Sequence, residues 1–183
     1  MSFFTLEGLS REQARKQIYL VDSQGLVYNA RGRLPDHKKC MSTELIRPDL
    51  AEPPLDFSRD DYEGPPITKL IDIIDYVKPT ALLGLSTIGV CPWPFLSNCF
   101  RPYPYIKGAF TTEVITAMAE INPRPIIFPL SNPVKLAECT FADAVEHTKG
   151  SVLFASGSPF PSQTYNGKVF YPGQGNNMYI FPG

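Results

Sequence analysis

Three asparagines sit in loops built of glycine, serine and proline. Asn132 lies in Leu130-Ser-Asn-Pro133, and Asn176 and Asn177 end the run Pro172-Gly-Gln-Gly-Asn-Asn177. A side-chain amide offers both a donor and an acceptor, so such groups can hold a polar ligand carrying carboxylate and hydroxyl groups. An asparagine before proline ordinarily initiates a turn, and one after glycine forms a turn or a cap. A ligand role is favoured here because all three fall in loops that follow strand-like runs. Another such loop is Phe154-Ala-Ser-Gly-Ser-Pro-Phe160, straight after the apolar stretch Ser151-Val-Leu-Phe-Ala155. That is the pattern of a buried parallel strand ending in a tight loop, where backbone can approach a ligand closely.

Gly84-Leu-Ser-Thr-Ile-Gly89 is a Gly-bracketed strand-to-helix turn. Its exposed N–H groups, around Gly84, Ser86 and Thr87, can meet phosphate or ribose. The motif is nonspecific by itself, and no G-x-G-x-x-G occurs in the chain. Asp22 ends an apolar run, where an acidic residue can bind ribose hydroxyls. It is equally suited to forming the turn that leads to Gly25. Lys38-Lys39 lies on a polar segment and reads as a solvated loop, with a phosphate contact as the sharper alternative. His147 reads as a surface residue favoured by a helix C-terminus. Glu138 and Cys139 read as structural.

The elements that must position these groups alternate. Ser10-Arg-Glu-Gln13 is a weak capping box for a first helix. Gln17 to Val21 reads as a buried strand ending at Asp22. Residues 34–66 are polar and Pro-rich, and read as a long excursion. Apolar residues at 67, 70, 71, 73, 74 and 77 predict an amphipathic helix that Pro79 stops. Strands follow at 80–84, 125–128 and 151–155. Helices capped by Thr111 and Thr140 lie between them. Repeated units of this kind predict an α/β fold, a parallel Rossmann-like sheet with helices on both faces. Ligands bind such sheets at the carboxyl ends of the strands. Asp22, Gly84, Ser86, Asn132 and Asn176 are therefore expected to share one edge. Val90 to Lys107 fits no periodicity; it holds the only Trp, two of the four Cys and four Pro.

Composition is that of one ordinary domain. The formal net charge of −1 argues for neither nucleic acid nor an anionic membrane surface. No apolar run is long enough to span a bilayer, and the start lacks a secretory signal, so an intracellular protein, cytoplasmic or mitochondrial, is expected. Four cysteines without CxxC spacing and two histidines speak against zinc and for reduced thiols.

From Glu7 to Gly183 the chain resembles the malic enzyme family. The stretches that carry the resemblance are GLSREQARKQIYLVDSQGLV (8–27), KPTALLGLSTIG (78–89), GAFTTEVITAMAEINPRPIIFPLSNP (108–133), AECT (137–140), LFASGSPF (153–160) and NGKVFYPGQGNNMYIFPG (166–183). The resemblance implies oxidative decarboxylation of malate to pyruvate and carbon dioxide, with NAD or NADP and Mg2+ or Mn2+, in a homo-oligomer. It implies that Asp22, Gly84, Ser86, Thr87 and Asn132 face the cofactor, and that Asn132, Asn176 and Asn177 face malate. Asp22 favours NAD, whereas Ser23 and Lys38-Lys39 are compatible with a 2′-phosphate.

Three departures qualify it. The family's amino-terminal half, with its catalytic Tyr and Lys, acidic metal ligands and Gly-rich pyrophosphate loop, has no counterpart here. No catalytic residue and no metal ligand is therefore assigned. The family also continues past the closing FPG. The reading is a partial NAD(P)-binding domain over 1–183, truncated at both ends and inactive alone. The alternatives are a noncatalytic NAD(P)- or metabolite-binding fragment, a pseudoenzyme subunit, or a fragment that does not fold stably. Finally, the family reads STIG directly into GAFT, whereas residues 90–107 intervene here. Their 18 codons keep frame. Val-Cys can be encoded by a splice-donor sequence, Ser97-Asn98 by a branch site, and Lys107 can end in AG. The insert is thus readable as a retained intron, with a lineage-specific loop as the rival. A spliced message joining the Gly89 and Gly108 codons decides for the intron.

Overall fold

A computed structural model describes residues 8–22, 24–28, 59–85 and 108–176. They fall into two compact units, one ending at Thr68 and one beginning at Lys69. Ser86, Thr87, Asn177 and the stretch 90–107, which fits no periodicity, lie outside the described residues.

The first unit opens with helix α1 (Arg11–Lys16). Its capping box forms: Gln13 N donates to Ser10 Oγ at 3.2 Å, and Ser10 N donates to Gln13 Oε1 at 2.8 Å. The buried parallel strand expected over 17–21 does not form. Only Val21–Asp22 (β1) is extended, paired antiparallel with Gly25–Leu26 (β2). Leu20 and Val21 are each 43% exposed, so this apolar run covers no core. The interior of the unit is instead Ala14 and Leu26 to Tyr28, closed by Arg59. The Arg59 guanidinium donates twice to the Asp61 carboxylate and once to Lys16 O at 3.0 Å, and it lies 4.2 Å above the Tyr19 ring. Tyr28 and Arg59 are parallel bridge partners.

In the second unit, helix α2 (Leu70–Val77) ends where Lys78 turns left-handed ahead of Pro79. Strand β3 (Ala81–Gly84) follows. Helix α3 (Thr112–Ile121) starts at the Thr111 cap and ends at Asn122, whose side chain donates to Pro79 O at 2.8 Å. Strand β4 (Ile126–Pro129) comes next, then a 3-10 turn at Val134–Leu136. Helix α4 (Phe141–His147) carries a full capping box between Thr140 and Asp143. Strand β5 (Leu153–Ser156) precedes a hairpin, β6 (Gln163–Tyr165) and β7 (Lys168–Phe170), joined by Asn166-Gly167. The last strand is β8 (Gly173–Gln174).

Strands β3, β4, β5 and β8 pair in that order, all parallel. The parallel α/β sheet is therefore present, with β8 rather than 17–21 as its fourth strand. Leu82, Ile127 and Phe154 stand in one row and face α2, α3 and α4. That row, with Ile74, Ile115, Met118 and Val145, is the core. Successive strand residues point to opposite faces, so Leu83, Ile126, Phe128 and Leu153 form the second face. Among the described residues this unit's α-helices pack on the first face, and Leu83 on the second is 47% exposed. No helix among the described residues is long and apolar enough to cross a membrane.

Candidate functional site

The carboxyl edge of the sheet is built as a staircase. Leu130 N donates to Gly84 O at 2.9 Å, Gly157 N to Pro129 O at 3.3 Å, and Gly175 N to Ser156 O at 3.0 Å. Each loop thus hooks onto the last carbonyl of the neighbouring strand. The hooks bring the starts of four loops to one edge: Leu85, Leu130 to Asn132, Gly157 to Ser158, and Gly175 to Asn176.

Asn132 is the best-defined side chain of this edge. It is half-buried, it precedes a cis proline bond, and its Oδ1 accepts from Ser158 Oγ at 2.5 Å. The Ser158 backbone is held in turn: buried Ser156 donates through Oγ to Ser158 O at 2.8 Å. Beneath Asn132 lies a buried polar pair, Ser131 Oγ donating to Glu138 Oε1. The Glu138 side chain fills the space over Gly84. A Cβ on Gly84 would sit 2.4 Å from Glu138 Cδ, so this position is glycine because of packing within the protein. Asn176, one residue beyond the Gly175 hook, is exposed.

Asp22 belongs to the first unit. Its Oδ1 accepts from Gln24 N at 2.8 Å, an Asx-type turn that links β1 to β2. His147 closes α4, with Nε2 3.4 Å from Thr112 Oγ1. Burial, and then the charges of Asp143 and Glu138, push the Cys139 thiol well above its ordinary range, which disfavours the thiolate. Among the described residues no three or more His, Cys, Asp or Glu side chains are grouped to hold a metal ion. They do not fit Mg2+ or Mn2+, and no step is assigned to a metal.

The sequence reads Glu138 as structural and places Ser131, Ser156 and Ser158 in strand-end loops without a side-chain role; in the structure these four residues frame Asn132. Their signal was present in SNP, AECT and ASGSP. Small hydroxyl side chains between glycine and proline read as loop formers, and only the fold gives them partners.

The family described as "Malic enzyme, NAD binding domain" matches residues 1–91 and 104–183, leaving a gap inside the stretch 90–107. The NADP-dependent malic enzyme of Dictyostelium discoideum is 42% identical over all of this chain and 27% of its own length. The mitochondrial NAD-dependent malic enzyme of Ascaris suum is 42% identical over 97% of this chain and 22% of its own length. The chloroplastic NADP-dependent malic enzyme of rice is 39% identical over 94% of this chain and 21% of its own length. The chain thus spans about a quarter of the length of the curated relatives it matches.

Proposed function

The chain belongs to the malic enzyme family, and on that premise we propose that its staircase edge binds NAD(P) and the carboxylate end of malate. The observation that carries this reading is the juxtaposition at the carboxyl edge: the Asn132 amide is pinned by Ser158 of the loop after β5, and the Gly175–Asn176 turn hooks onto the end of that same strand at Ser156 O. Side-chain amides in loops at a sheet's carboxyl edge suit a ligand rich in carboxylate and hydroxyl oxygens. In the family's reaction these contacts serve oxidative decarboxylation of malate. That chemistry also draws on a divalent metal and on proton-moving Tyr and Lys motifs. The 183 residues contain no counterpart of those motifs, so we assign this chain binding without turnover. Both NAD and NADP occur in the relatives' names, and the cofactor is written NAD(P) for that reason. An intracellular setting belongs to the same reading and is supported by the mitochondrial and chloroplastic relatives.

The test is calorimetric titration of the whole chain with NAD, NADP and L-malate, beside an assay of malate-dependent NAD(P) reduction with Mg2+ or Mn2+. Saturable NAD(P) or malate binding, weakened about tenfold or more by Asn132→Ala or Asn176→Ala, is expected, with no turnover. The tenfold figure is the loss of one charge-assisted hydrogen bond. Binding that ignores both substitutions would sink the edge as the site. Turnover abolished by them would overturn the assignment of binding alone.

A further inference from the structure

We propose that Ser158 is a positioning residue: it fixes the Asn132 amide with its oxygen inward and its NH2 outward, so that the site takes an acceptor oxygen there. A primary amide has two ends of opposite character, and a half-turn about its last bond exchanges them. Its selectivity is undefined until something decides which end faces the ligand. The contact of 2.5 Å between Ser158 Oγ and the amide decides it. The serine is the donor and Oδ1 the acceptor, so the inward atom is Oδ1.

Two further restraints hold the arrangement. Gly157 brings bare backbone against the amide. A Cβ there would lie 2.8 Å from both Oδ1 and Nδ2 of Asn132, and 2.3 Å from Leu130 O. Ser158 itself cannot drift, because Ser156, fully buried, donates to its carbonyl. Among the described residues no group accepts from Asn132 Nδ2, and the side chain is half-buried rather than enclosed. The two N–H donors of Nδ2 thus remain available to a ligand. They match a carboxylate or carbonyl oxygen and mismatch a ligand N–H. The choice of ligand rests on the function proposed above; the orientation of the amide does not.

The experiment follows the Asn132 side-chain 15N–1H2 signal in the full chain and in Ser158→Ala and Ser158→Thr, without ligand and then with L-malate. In the parent and in Ser158→Thr, which keeps the hydroxyl, the amide is expected to be ordered. In Ser158→Ala its order parameter is expected to fall below roughly 0.6, the range of flexible groups, and malate affinity to fall about tenfold, the scale of one hydrogen bond. An amide equally ordered in Ser158→Ala overturns the proposal, as does one equally disordered in all three chains. Asn132→Asp tests polarity: it turns an acceptor outward and should abolish malate binding. Undiminished binding in that variant also overturns the proposal. If the parent binds neither malate nor NAD(P), the functional reading fails, and the ligand-free order parameters still decide the role of Ser158.

Discussion

Glu138 and Gly84 make one unit of packing, and their substitutions should not add. Gly84→Ala puts a methyl 2.4 Å from the Glu138 carboxyl carbon. Overpacking of this kind costs about 1–3 kcal/mol. In a Glu138→Ala background the three atoms nearest that methyl are gone, and most of that cost should vanish. A double-mutant cycle by urea unfolding measures this, and additive costs would mean that the contact carries no energy. At the first unit, the Arg59 hydrogen bond to Asp61, aided by the Arg59 charge, holds the Asp61 carboxyl below its ordinary value of 3.8. A depressed carboxylate stabilises the fold above its unfolded value and loses that contribution as pH falls through the folded one. The stability gap between the parent and Asp61→Asn should therefore be full above about pH 4 and close at more acid pH. Asp61 is 47% exposed, so the gap should be small and should shrink in salt. A gap that widens on acidification would contradict the pairing.

The α-helices of the second unit were legible because each carries its own punctuation. Thr111 and Thr140 both cap, Asn122 stops α3, and Pro79 follows the end of α2. Thr140→Ala removes the reciprocal bond with Asp143 and should cost about 1 kcal/mol in thermal or urea unfolding. An unchanged stability would show that tertiary contacts alone fix the start of α4. The hairpin of β6 and β7 was not read from the sequence despite its Asn166-Gly167 turn, and two further elements were missed for opposite reasons. Gln17 to Val21 has strand composition, but among the described residues only the two-residue β2 pairs with it, and Leu20 and Val21 stay exposed. Gly173-Gln174 has no strand propensity, yet it is extended because Ala155 and Ser156 present an open parallel edge to it. Propensity is local, whereas strand pairing depends on residues far along the chain. The same difference explains the site. Asn132 and Asn176 were visible as amides in loops, but the serine that orients Asn132 lies 26 positions away.

At the largest scale, the described residues of the second unit place α-helices on one face of the sheet, while the other face carries partly exposed apolar side chains. Leu83 and Leu153 are 47% and 36% exposed, beside half-buried Ile126 and Phe128. Open apolar faces associate. Leu83→Gln with Leu153→Gln should lower light scattering and dye binding at high concentration, while changing stability by no more than about 0.5 kcal/mol per site. Scattering that persists would point to another surface. The staircase edge has a consequence in time rather than in space. Its three hooks are amide hydrogens, of Leu130, Gly157 and Gly175, and each can exchange with deuterated water only when its step opens. The first two are flanked by four-residue strands, whereas the third depends on β8, which is two residues long. Gly175 should exchange first and Leu130 last. An occupant that bridges the loops should slow Gly175 most, because the step that opens most readily has the most protection to gain. A uniform slowing of all three would instead mean that the edge opens only when the whole sheet does.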